Sequence, residues 1–97
     1  MKKEKILSTL EDIAKQLAIK VRHEKGDFTG GSCTKEEEHL ILINKRHMID
    51  KKINVLAREL APYDLAGIEI PKAVIEIIES ERKRASQIEM EELEDNE

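Results

Sequence analysis

Four consecutive aliphatic residues, Leu40-Ile41-Leu42-Ile43, make the most apolar run of this chain. They close a stretch, Gly30 to Asn44, that also holds the only Gly-Gly pair and the only cysteine. A run this short, bounded by Glu36-Glu37-Glu38 before it and Asn44-Lys45-Arg46 after it, has the length of a strand and not of a helix. Unbroken apolarity predicts a strand buried on both faces, interior to a sheet. The rest of the chain then has to supply neighbouring strands and a cover.

The segment before this stretch supplies both. Ile6, Leu10, Ile13 and Leu17 recur at helical spacing, with Leu7 and Ala14 beside them, while Glu11, Asp12 and Lys15 mark a polar face. This predicts a helix over 3–18 with one buried side. From Ile19 the period falls to two: Ile19, Val21 and His23 alternate with Lys20, Arg22 and Glu24, the pattern of a half-buried strand. Lys25-Gly26-Asp27 and Gly30-Gly31 are turn chemistry around the single Phe28, which is expected to cover an edge of the core. Ser32 to Lys35 reads as a second strand, 36–38 as a turn and 39–44 as the third. With an even connection, Cys33 shares a sheet face with Leu40 and Leu42.

After the sheet, Ile49, Ile53, Leu56 and Leu60 predict a helix over 50–61, with Asp50 as its N-cap and Pro62 ending it. Ile68-Glu69-Ile70 is a short strand or an apolar loop. Pro71 opens a third helix over 71–85, whose apolar side is Val74, Ile77 and Ile78; Arg82, Lys83 and Arg84 belong to its exposed charged face. The fold class is α+β: a small, mostly antiparallel sheet of about three strands, with two or three packing helices. Aromatic residues make up only 2% of the 97 residues, so the core has to be aliphatic.

Charge divides the chain. Its net charge is -4, yet six acidic side chains follow Gln87 with no base among them, and residues 1–88 carry +2. We read 1–86 as one domain and 87–97 as an acidic, flexible tail. A body this mildly basic makes nucleic acid an unlikely partner. The helix pair 50–61 and 71–85 is joined by too long a connection for a helix-turn-helix. No run reaches the length of a membrane span, and one cysteine with no signal-like leader points to the cytoplasm.

Candidate chemistry is sparse. Cys33 follows Gly-Gly-Ser, and a thiol on such a turn becomes a nucleophile when a base lowers its pKa; His23 and His39 are the bases within reach of a hairpin. Against this, cysteine is a small hydrophobe that packs well beside leucines. His23, Cys33, His39 and His47 are the softer metal ligands of the chain, but their spacing matches no zinc module. No cofactor and no metal are expected. No phosphate-cradling loop is present, because Gly30-Gly31 precedes a strand.

One resemblance concerns the order of elements. A helix, the strand Ile19-Lys20-Val21, a glycine pair, the strand Leu40-Ile41-Leu42-Ile43-Asn44 and the helix Leu56-Ala57-Arg58-Glu59-Leu60-Ala61-Pro62 together resemble the core of the ImmA/IrrE-type zinc peptidases. In that family the second helix carries His-Glu-x-x-His, whose Glu activates a zinc-bound water. Only Glu59 matches here. Arg58 and Pro62 stand where the two imidazoles belong, and neither can ligate zinc. The resemblance therefore implies a non-catalytic, zincin-like relative.

The functional expectation is a non-catalytic cytoplasmic binding or structural protein, homodimeric through strand addition or helix pairing, with a protein partner possible. The alternative is a thiol- or metal-dependent enzyme centred on Cys33 with His23 or His39, or a degenerate metallopeptidase relative.

Overall fold

Helix α1 (Lys3–Gln16) ends where its chain must reverse into the first strand, β1 (Lys20–Glu24). The reversal is a Schellman turn: Ile19 N–H donates to the Ala14 carbonyl at 2.8 Å and Ala18 N–H to the Lys15 carbonyl at 3.0 Å. The residue at its centre is Ala18, held at φ 61°. Glycine is the usual occupant there, because an alanine Cβ is strained in the left-handed region. The turn accounts for α1 closing at Gln16 and not at 18. The structure, a computed structural model, describes the backbone of residues 1–28, 30–35 and 38–95, and side chains for 1–28, 30 and 39–87.

After β1 come β2 (Gly31–Lys35), β3 (Glu38–Asn44), α2 (Ile49–Leu60) and α3 (Lys72–Asp95), in an α+β arrangement. The three strands lie in the order β1-β3-β2. β2 runs antiparallel to β3, with Cys33 opposite Leu40, while β1 runs parallel to β3, with Val21 opposite Ile41. The sheet is therefore mixed, a correction to the mostly antiparallel expectation. The cause is the connection 25–30. It carries the chain past one strand position, across about 9.5 Å, and β3 then returns into the vacant middle alongside β1.

Asn44 makes that crossing possible. It is 3% exposed at the end of β3, and its side-chain amide donates to the carbonyls of Gly26 at 2.8 Å and Phe28 at 2.7 Å. Its Oδ1 accepts from Arg46 N–H at 3.0 Å. One buried side chain thus satisfies two carbonyls of the crossing loop and the turn that follows β3. Gly30 completes the crossing at φ +98°, so close to β3 that a Cβ there would stand 2.8 Å from the Leu42 carbonyl oxygen.

β3 is interior to the sheet, as expected, but it is not buried on both faces. Ile41 and Ile43 are buried beneath the helices, whereas Leu40 and Leu42 on the other face are only half-buried. The helices form a single layer, so the second face has no equal cover. The core joins Leu10 and Ile13 of α1 to Leu56 and Leu60 of α2, with Val74 and Ile78 of α3 closing it. Each such side chain contributes roughly 1.5–3 kcal/mol by leaving water. Lys3 meets Asp50 at 3.0 Å between the first turns of α1 and α2. Asp50 accordingly sits inside the first turn, and Met48, with no side-chain cap, holds the N-cap position expected for Asp50.

α3 begins one residue after Pro71, whose carbonyl accepts from the N–H groups of Val74 and Ile75. Its backbone stays helical to Asp95, beyond the expected end at 85 and through most of the stretch read as an acidic tail. Residues 68–70 form a loop, not a strand, and Ile68 and Ile70 are half-buried against the core.

Candidate functional site

The site grows from the end of α2. Pro62 has no N–H, so α2 cannot continue, and its last carbonyls need partners from elsewhere. Arg82 of α3 supplies one. Its Nε and Nη2 donate to the Ala61 carbonyl at 3.0 and 2.8 Å, while Nη1 donates to Glu79 at 2.6 Å. A guanidinium at a helix C-terminus is also favoured by the helix dipole. This clamp ties α3 to the end of α2, and a groove of about 730 Å³ lies between α3 and the loop 61–71.

The groove has an aliphatic floor and a charged rim. Ile68, Ile70, Ile75 and Ile78 line its floor, and Arg58 and Arg82 stand among its lining residues with Asp64 and Glu79. Ile75 is 42% exposed, one of three exposed large hydrophobics among the described residues, with Met1 and Met48. Asp64 is committed to its own loop, where its carboxylate accepts from Ala66 N–H at 3.0 Å.

A second hollow of about 340 Å³ adjoins the first, with Arg58 and Ala85 common to both. Here Lys51, Arg58 and Arg84 line the hollow together with one carboxylate, Glu81, which is 6% exposed. The Arg84–Glu81 pair is long at 3.5 Å, and Arg58 meets Glu59 only at 3.7 Å. Among the described side chains, the cations that line this hollow outnumber its carboxylates, three to one. Such an arrangement accepts an apolar surface flanked by negative charge.

The residues singled out by sequence lie elsewhere or apart. His23 sits on β1, where its Nε2 meets Glu11 of α1 at 2.5 Å. Cys33 is on β2, the opposite edge, so β3 stands between the strands that carry them. His39 pairs in register with Thr34, next to Cys33 along β2, and its exposed ring meets Tyr63 edge-on at 6.4 Å. The register sets Cys33 opposite Leu40. Its thiol, expected either to be activated or to pack beside the leucines, lies outside the described side chains, as does every side chain after Gln87. His47 is in the turn after β3. Among the described residues, no three His, Cys, Asp or Glu side chains gather where they could hold a metal ion.

Glu59 is half-buried on α2, and the two positions flanking it in the peptidase pattern are informative. Arg58 and Pro62, one turn apart, both line the groove. Where that pattern would place two imidazoles, this chain presents a guanidinium and a proline ring to the groove. Sequence reasoning places Arg82 on an exposed charged face and misses its role. The signal is available in principle: a helix ended by proline leaves carbonyls that need a donor, and an arginine on the next helix can reach them.

No helix among the described residues is long and apolar enough to cross a membrane. No protein-family model matches the chain, nor does any curated protein or solved structure.

Proposed function

We propose that this chain is a non-catalytic cytoplasmic binding protein, homodimeric, whose groove takes the aliphatic face of an acidic amphipathic helix. The observation that carries the reading is the pairing of an aliphatic floor, Ile68, Ile70 and Ile75, with the cationic end formed by Lys51, Arg58 and Arg84. An apolar stripe buried there gains transfer free energy, and acidic groups beside it meet Arg58 and Arg84, whose ion pairs among the described residues are long, 3.7 and 3.5 Å. The separation of His23 from β2 supports the non-catalytic part. A metal-free kinship with the ImmA/IrrE-type peptidases is compatible with it, supported by the order of elements from α1 to α2 and by Arg58 and Pro62 at the would-be ligand positions.

Anilinonaphthalene sulfonate, an apolar ring system bearing one anion, is a suitable probe of this chemistry. Saturable one-to-one binding by the full chain is expected. Ala85→Glu, placed between the two hollows, should abolish it, and Met48→Glu, at an apolar side chain 79% exposed away from the groove, should leave it unchanged. Binding that never saturates, or that survives Ala85→Glu, would sink the reading.

A further inference from the structure

We infer that two copies of this chain join edge to edge, the outer edge of β1 pairing antiparallel with the partner's β1 about a two-fold axis at His23. The inference rests on the homodimeric part of the reading above and names its interface. The groove takes no part in it.

The backbone offers the edge. β1 ends the order β1-β3-β2, and among the described residues no strand lies beyond it. The Glu24 carbonyl accepts from Lys45 N–H at 2.9 Å, so Glu24 turns its backbone toward β3. Backbone groups alternate sides along a strand, and Val21 and His23 therefore turn theirs outward. An outward row of donors and acceptors is a template for another strand unless something blunts it. β1 holds no proline and pairs with β3 at every residue from Lys20 to Glu24, without a bulge. A hollow of about 480 Å³, lined by Lys20 to His23 and by Asp12 and Lys15 of α1, leaves room beside the strand.

Charge then selects the register. An antiparallel pair sets outward-turned residues against outward-turned residues, so the two-fold axis passes through a residue of β1 and not between two. A centre at Lys20, Arg22 or Glu24 sets that charge against its own copy, and one at Val21 sets Lys20 against the partner's Arg22. A centre at His23 sets Arg22 against the partner's Glu24, and Glu24 against the partner's Arg22. Within one copy Arg22 already meets Glu24 at 2.7 Å, so this register closes a ring of alternating charges on the sheet face away from the helices. Charges on an edge strand ordinarily repel a neighbour; centred on His23 they attract. Each His23 imidazole stays with the Glu11 of its own copy, at 2.5 Å.

The pairing itself is backbone to backbone. His23 exchanges hydrogen bonds with the partner's His23, and Val21 does so with the partner's Lys25 on either side. Two sheets become one, in the order β2-β3-β1-β1-β3-β2, with the helices of both copies on one face. The hollow beside β1 shares no lining residue with the groove or its adjoining hollow, so the groove is left free to bind in the dimer.

Sedimentation velocity and amide exchange on the full chain test the pairing. The wild type should be a dimer in which the Val21 and His23 amides exchange slowly. Arg22→Glu and Glu24→Arg should each weaken it by roughly tenfold or more, since both symmetric cross pairs turn from attraction to repulsion. Circular dichroism should not change, because the two side chains are 61% and 43% exposed. In either variant the amides of Val21 and His23 should exchange as those of a bare edge. Mixing the two variants should restore dimer as a heterodimer, because position 22 of each copy then faces an opposite charge at position 24 of the other. If Glu24→Arg fails to fold, Arg22→Glu and the two amides decide the matter. A monomeric wild type overturns the inference together with the homodimeric reading. A dimer indifferent to Arg22→Glu, or one with fast exchange at both amides, overturns the interface and keeps the homodimer. Anilinonaphthalene sulfonate reports on the groove separately: a dimer that dissociates with Arg22→Glu yet never binds the probe keeps the pairing and rejects the groove.

Discussion

Arg82 holds the carbonyl of Ala61 with two nitrogens of one guanidinium, at 3.0 and 2.8 Å, across 21 residues of sequence. A proline at 62 ends α2, and an arginine on α3 satisfies the carbonyl left over. The same contact ties α3 to the end of α2 at the groove, which Ala61 and Arg82 both line.

Arg82→Ala should therefore lower stability by about 1–2 kcal/mol in urea unfolding, the range for charge-assisted hydrogen bonds with some discount for a partly exposed side chain. Arg82→Lys should recover less than half of that, since one ammonium cannot reproduce the fork on one carbonyl and the bond to Glu79 together. Full recovery by lysine would show that charge at the helix end, not geometry, carries the effect.

Asn44 serves three backbone groups at once. Asn44→Ala leaves two carbonyls of the crossing loop without a donor in a buried place, and should cost on the order of 2–4 kcal/mol. Asn44→Asp keeps the shape and removes both donors, so it should be no milder. Amide exchange should rise first within 25–30, the loop these bonds hold.

Two glycines with positive φ separate strain from crowding. Gly67 has φ +87° and open space where a Cβ would be, while Gly30 has φ +98° and the Leu42 carbonyl at 2.8 Å. Gly67→Ala should cost about 1 kcal/mol from the left-handed backbone alone. Gly30→Ala should cost roughly 2 kcal/mol more, because β3 has to give way. Equal losses at the two sites would mean that the crossing loop simply moves aside.

Ala18→Gly should stabilise the fold by about 0.5–1 kcal/mol. It relieves an alanine at φ 61° in the Schellman turn, a gain reduced by the greater freedom of glycine in the unfolded chain. A higher urea midpoint with unchanged slope is the expected result.

The elements themselves were legible because each carries its own period. Ile6, Leu10 and Ile13 could form only a helix stripe, and Leu40 to Ile43 only a strand at the heart of a sheet; the structure buries Leu10, Ile13, Ile41 and Ile43. Local spacing also set Cys33 on the sheet face of Leu40 and Leu42, conditional on an even connection, and the register places Cys33 opposite Leu40. The aliphatic character of the core and the α+β class follow from the same local facts.

What period cannot report is the route between elements. The parallel pairing of β1 with β3 depends on a loop passing over the end of β3, and on Asn44, 18 residues from the Gly26 carbonyl it satisfies. The groove depends on Arg82 finding Ala61, and the fate of His23 on Glu11 standing beneath it. Pattern along a chain encodes which side of an element must leave water. Strand order and side-chain partners are settled by contacts between residues far apart in sequence, whose free energies exist only once the layers have met.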